Sequence, residues 1–202
     1  MKWFAVTLVY LSICLGYFWA RNAWVTLLGF HAAMIVSLIL ARPNLPPSIL
    51  FKNNHPKWSI ASVLLCALSG ICLYFLRHAL GFAQDLHAQL ESIGLTTQTW
   101  LPFILYAVLV NPVVEEYFWR GYLGSAARGL NLFDPIFAGY HILILVGKAN
   151  LPAIVLIVIV LTFAAWFWRQ IARESGGLLA PALGHMAADL TILLAIYRIF
   201  IS

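Results

Sequence analysis

The sequence predicts an all-α protein, a polytopic bundle of about seven transmembrane helices with one short amphipathic helix lying in the interface. Composition is the first reason: the 202 residues are 63% hydrophobic and only 9% charged, whereas soluble domains hold about 25% charged residues. Length is the second, because the apolar runs come in pieces near the ~20 residues that a helix needs to cross a bilayer. The breaks between runs are the third: they are short and gather Pro, Gly, Asn and basic residues. The spans use up most of the chain, so it reads as a single integral-membrane domain over residues 1–202, with N-terminal helices in 1–99 and the polar motifs in 100–202.

The first span, 3–20, follows a single lysine and has no small-residue cleavage site before a polar mature chain, so it reads as a retained helix rather than a signal peptide. Only Arg21 and Asn22 separate it from the second, 24–40, which makes the two a tight antiparallel pair. Arg42-Pro43-Asn44-Leu45-Pro46-Pro47 then breaks the helix, and Lys52, His55 and Lys57 make this the most basic loop. After the third span, 58–80, Phe82, Leu86, Leu90 and Ile93 recur at helical spacing with Gln84, Asp85, His87, Gln89 and Glu91 between them, the pattern of an interfacial helix. The remaining spans read at 100–126, 132–147, 151–172 and 177–200. Trp3, Trp24, Trp58, Trp100 and Trp168 near span ends read as interface anchors.

A net charge of +5 raises the possibility of nucleic-acid binding, but the basic residues are scattered at helix ends and form no patch, so no nucleic-acid partner is expected. Orientation accounts for them better. With the N-terminus in the cytoplasm, Lys2, Arg42, Lys52, Lys57, Arg128, Arg169 and Arg173 fall inside, and Arg21, Arg77, Lys148 and Arg198 outside. That excess on the inner side is the positive-inside pattern. The small size and bare termini suggest a bacterial inner membrane. Cys14, Cys66 and Cys72 lie within apolar runs without CxxC spacing and read as small buried hydrophobes.

The chemistry concentrates in Asn111-Pro112-Val113-Val114-Glu115-Glu116-Tyr117-Phe118-Trp119-Arg120. A charge near the bilayer centre costs about 2.5–3.5 kcal/mol even on lenient scales, so three in one span need compensation. Glu116 and Arg120 stand at i and i+4 with the acid N-terminal, the favoured pairing. Glu115 lies about 100° around the axis and is the carboxylate left over. A buried acid without a built-in counter-charge is a candidate general base or acid. A structural polar knot between helices is the plainer reading of the same stretch.

Two later spans also carry polar groups. Phe137-Ala138-Gly139-Tyr140-His141 sets an aromatic and a histidine one turn apart on one face, and His185-Met186-Ala187-Ala188-Asp189 does the same with a histidine and an acid. At a rise of about 1.5 Å per residue, Glu115, His141 and His185 lie roughly 15, 14 and 12 Å in from the inner ends of their spans. They therefore share one depth in the cytoplasmic half, where a buried polar cavity could form. His31, His55, His78 and His87 fall outside this set and read as interfacial or packing residues.

Glu115-Glu116-x-x-x-Arg120, Phe137-x-x-x-His141 and His185-x-x-x-Asp189, in this order on successive apolar helices, resemble the CPBP family of intramembrane proteases, which includes the CAAX prenyl endoprotease of the Ras-converting type. The resemblance covers about residues 100–200. It implies a glutamate-dependent endopeptidase that hydrolyses a membrane-associated peptide or protein within the lipid bilayer, with no cofactor. By position, it makes Glu115 the general base and gives His141 the water. His185 and residue 189 would stabilise the oxyanion, with Glu116 and Arg120 holding the bundle around them. The family commonly has Asn at the last position, and here it is Asp189. An ionised carboxylate cannot donate, so Asp189 either carries a proton or acts one step back by orienting His185.

Three other functions fit parts of this pattern. One Glu with two His is a ligand set of hydrolytic zinc, although the HExxH spacing is missing. A proton-coupled carrier would use buried acids as relays, but would favour internal repeats, and none is visible. A non-catalytic scaffold could follow from Asp189. Prenylated CAAX tails, bacteriocin or pheromone precursors and C-terminal sorting tails all suit a membrane cavity facing the cytoplasm.

Overall fold

Apolar segments in lipid must satisfy their backbone internally, and among the described residues the chain does so with helices alone. The computed structural model describes residues 1–200; residues 201 and 202, the end of the predicted 100–202 segment, lie outside the described residues. Helix α1, Lys2–Cys14, continues into a π-helical turn, Leu15–Trp19. Next come α2, Ala23–Ala41, a 3-10 turn at Pro47–Phe51, α3, Pro56–Leu76, and α4, Leu86–Ser92. The span carrying the glutamates is α5, Trp100–Leu109, α6, Asn111–Glu115, and a π-helical turn, Glu116–Tyr122. Helices α7, Phe133–Leu145, α8, Leu151–Ser175, and α9, Leu179–Phe200, complete the bundle.

Contacts between the connections sort them into two ends. At one end Lys2 Nζ donates to the Leu123 carbonyl, Asn54 N to Ser175 and Leu178 N to Ile49. At the other, Ala23 N donates to Ile93 and Ala83 N to Lys148. Successive apolar helices therefore alternate in direction, with α4 lying at the second end.

Six segments are long and apolar enough to cross a membrane: Lys2–Trp19, Ala23–Ala41, Pro56–Leu76, Trp100–Tyr122, Leu151–Ser175 and Leu179–Ile199. The seventh, α7, has 13 residues, about 20 Å of helix, which is less than the ~30 Å hydrocarbon layer. It was expected over 132–147, and local chemistry trims it. Asn131 Oδ1 accepts from Phe133 N at 3.1 Å while Asp134 Oδ2 accepts from Asn131 N at 2.8 Å. At the far end Val146 turns extended and Gly147 takes a φ of +78°, a conformation that glycine adopts without strain.

Helix packing relies on small residues, as it must where lipid removes the hydrophobic drive between helices. Along the α3–α9 contact, a Cβ on Gly70 would stand 2.1 Å from the Thr191 carbonyl oxygen, and one on Gly184 would stand 1.9 Å from Ser62 Oγ. Those two glycines set how closely the helices approach. The outer faces of α3 and α8 carry Leu64, Ile71, Phe75, Val155, Val160 and Phe163, all exposed, as a lipid-facing surface should.

The predicted amphipathic stretch at 82–93 contains α4, whose Leu86 and Leu90 are buried in a cluster with Trp100 and Ile104. Its apolar side therefore packs on the end of the bundle, while His87 and Glu91 face outward. Trp100, expected as an interface anchor, is 2% exposed and stacks on Phe103 and Tyr197. The reason is that α4 and α9 cover the start of α5.

Arg169 staples the loop between the glutamate span and α7. Its Nε donates to Asp134 Oδ1 at 3.0 Å, and its Nη2 to Asp134 Oδ2 at 2.7 Å and the Gly129 carbonyl at 2.6 Å. Its Nη1 reaches the Ser125 and Ala127 carbonyls. Both partners are buried, and removing one half of such a pair costs about 3–5 kcal/mol. Asp134→Ala should therefore lower the thermal midpoint of the detergent-solubilised protein far more than Glu174→Ala, whose pair with Arg173 is exposed.

Candidate active site

The site begins at a break in a helix. Pro112 has no N–H for the preceding turn, so α5 stops at Leu109 and α6 starts at Asn111. Five residues later the helix widens into a π turn, in which Leu123 N donates to the Phe118 carbonyl at 2.9 Å. Such single π turns recur at functional sites. Glu115, 1% exposed, closes α6, and Glu116, 0% exposed, opens the π turn.

The two carboxylates differ in their partners. Glu116 Oε1 lies 3.2 Å from Arg120 Nη1 and 2.9 Å from His185 Nδ1, so the predicted pairing with Arg120 is present and a histidine from α9 joins it. The guanidinium also rests over two aromatic faces, with centroid distances of 4.1 Å to Phe137 and 5.0 Å to Trp168. Cation–π contact of this kind strengthens when desolvated. Glu115 has no such cation: the Tyr140 hydroxyl, 3.0 Å from both carboxylate oxygens, donates to it. A phenol offers one proton, so it holds the carboxylate in place without neutralising it.

Phe137 ties the polar groups together. Its ring lies 5.6 Å from the ring of His141 and 6.2 Å from that of His185, edge to face in both cases. His141 stacks on Tyr140 at 4.1 Å, so the phenol bound to Glu115 and the imidazole of His141 form one slab. His185 stacks on Trp168 at 4.5 Å. Its Nε2 points to Asp189 Oδ1 at 3.6 Å, a separation for electrostatic attraction rather than a hydrogen bond. Asp189 Oδ2 accepts from Asn111 Nδ2 at 3.1 Å.

Several participants escaped the sequence reading. Trp168, expected at an interface, is 3% exposed and forms one wall of the site, because α8 passes behind His185. His31, read as an interfacial or packing residue, is 3% exposed and hydrogen bonds to Asn111 at 3.0 Å and to Tyr106 at 3.0 Å. Tyr140 had a usable signal, since it is three residues from Phe137 and shares much of its helix face. Asn111 had one too, opening the polar stretch just before a proline. His31 and Trp168 had none, because only the fold brings α2 and α8 to the site. His55, His78 and His87 are exposed.

Among the described residues, no group of three or more His, Cys, Asp and Glu side chains is arranged to hold a metal ion. Residues 97–191 match a family model described as Type II CAAX prenyl endopeptidase Rce1-like. No curated protein and no solved structure matches the chain.

Glu116 with Arg120 is a buried ion pair, and loss of one member leaves an uncompensated charge at a cost of about 3–5 kcal/mol. Arg120→Met should give a poorly folded protein in detergent, detected as a lowered thermal midpoint. Tyr140→Phe should lower the midpoint less, because Phe30, Trp119 and Phe137 still pack the ring and the loss is confined to the hydrogen bond to Glu115.

Proposed function

From the match of residues 97–191 to the family model described as Type II CAAX prenyl endopeptidase Rce1-like, we propose that this integral membrane protein is an intramembrane endopeptidase in which Glu115 activates the attacking water. The observation that carries the reading is the contrast between neighbours: Glu116 is engaged by Arg120 and His185, while among the described residues Glu115 is hydrogen bonded by a phenol and paired with no cation. A base has to be fixed in direction yet free to take a proton, and Glu115 meets both demands.

In the proposed reaction Glu115 takes a proton from water as the oxygen bonds to the scissile carbonyl carbon. His141, beside Tyr140, orients that water. His185 donates Nδ1–H to Glu116, so with both ring nitrogens protonated its Nε2–H is the donor available to the developing oxyanion, and a preorganised donor there lowers the barrier. Asp189 acts one step back: with Oδ2 accepting from Asn111 it behaves as a carboxylate that orients His185. When the C–N bond breaks, Glu115 returns its proton to the leaving amine. Base and donors are all side chains, and we assign no resident metal.

The substrate is a membrane-associated protein or peptide, and it approaches from the cytoplasmic side. The basic residues support that orientation, since Lys2, Arg42, Lys52, Lys57 and Arg128 all sit at the end of the bundle where Leu123 and Ser175 lie. Cytoplasmic positive charge then places the N-terminus inside.

The test is cleavage of membrane-tethered reporter peptides by the purified protein. Glu115→Gln should lower kcat by about 10²–10⁴-fold, the usual contribution of a general base, while Tyr140→Phe reduces it less and a strong zinc chelator leaves it unchanged. Activity lost to the chelator and restored by zinc would move Glu115, His141 and His185 to ligand roles. Activity that persists in Glu115→Gln would sink the assignment.

A further inference from the structure

Asp189 is held by a line of hydrogen bonds that reaches back to the N-terminal half of the chain. Tyr106 in α5 meets His31 Nδ1 at 3.0 Å, His31 Nε2 meets Asn111 Oδ1 at 3.0 Å, and Asn111 Nδ2 meets Asp189 Oδ2 at 3.1 Å. With Tyr106 donating to Nδ1, Nε2 carries the ring proton and donates to the Asn111 carbonyl. The Asn111 amide then presents its N–H to Asp189. Every group in the line has a donor facing an acceptor.

We propose that His31 and Asn111 are positioning residues: they fix the carboxylate of Asp189 so that its other oxygen faces His185 and sets the direction of that imidazole. The proposal rests on the endopeptidase reading for its kinetic consequence, but not for its structural one. Two features favour positioning over mere helix packing. His31 is gripped at both ring nitrogens and is 3% exposed, and Asn111 is 8% exposed, so neither side chain has another partner to turn to. The line also ends on Oδ2, which leaves Oδ1 as the oxygen 3.6 Å from His185 Nε2. Without Asn111 the carboxylate could rotate about its last bond and offer either oxygen, or turn away. A carboxylate that fixes a neighbouring imidazole is how such pairs gain direction.

The line makes a specific demand on positions 111 and 189: one amide and one carboxylate, facing each other. Asn111→Asp puts two acids together, which repel unless they take up a proton between them, and either way the amide N–H that fixed Oδ2 is lost. Asn111→Asp combined with Asp189→Asn restores an amide opposite a carboxylate in reversed order. At position 31, glutamine can place an N–H near where Nε2 stands, whereas leucine fills similar volume and donates nothing.

The experiment measures kcat and KM for reporter cleavage by the full chain, with thermal midpoints for every variant. Asn111→Asp should lose about tenfold to a hundredfold in kcat at little change in KM, the range for a hydrogen bond to a charged group. The double variant should recover most of that loss. His31→Leu should lose about tenfold and His31→Gln should stay near wild type. Asn111→Asp or His31→Leu as active as wild type, or a double variant no better than Asn111→Asp, would overturn the proposal. So would losses that simply follow the thermal midpoints, since that is the mark of a structural tie. A second measurement is independent of catalysis. The ¹⁵N signals of the His185 ring, identified by their disappearance in His185→Gln, should shift in Asn111→Leu. Unmoved signals would overturn the proposal even if the protein cleaves nothing, whereas a wild type that cleaves no reporter would instead defeat the endopeptidase reading alone.

Discussion

Glu116 and Arg120 bring opposite charges into a part of the bundle where neither meets solvent, and the surrounding helices are arranged to make that tolerable. The ion pair lies within one span, but its satisfaction does not: His185 arrives from α9 at 2.9 Å from Glu116, while Phe137 from α7 and Trp168 from α8 offer their faces to the guanidinium. A low-dielectric interior makes an unpaired charge very costly. Four helices are thereby committed to one another at a single point, which is also where the remaining carboxylate stands.

That commitment lets Glu115 be different from its neighbour. Adjacent residues on a helix face different directions, so Glu116 turns to the cations and Glu115 turns to Tyr140. The aromatic slab of Tyr140 and His141, with Phe137 between the two imidazoles, places polar edges at chosen points. Sites of this kind need the supporting shell to be rigid, and here the shell is largely aromatic.

The short α7 shows how the fold ties down irregular backbone at the ends of an apolar helix. Its ends are not left to lipid: Arg169 and Asp134 hold the loop that enters it, and the loop that leaves it is tied through Lys148 to Ala83 and to Tyr17. The Arg169 hydrogen bonds to the Ser125, Ala127 and Gly129 carbonyls satisfy backbone groups that the helices leave open, although residues 126–130 are exposed.

The sequence by itself determined the helical class, the approximate spans, the pairing of Glu116 with Arg120 and the set Glu115, His141, His185 and Asp189 from which a site could be built. Each follows from local rules: apolar length, i,i+4 spacing, and the cost of charge in lipid. Even at that level the interrupted span at Val110 and the trimmed α7 shifted boundaries, since a proline, a glycine and an asparagine cap act over single turns. Only the tertiary structure decided which partner each polar atom meets. His31 looked like a stray histidine and Trp168 like an anchor, because nothing within α2 or α8 tells which helix lies opposite. Tyr140 reaching Glu115, and Asn111 joining His31 to Asp189, depend on how helices distant in sequence rotate and approach, and that is set by packing of the whole bundle rather than by any one segment.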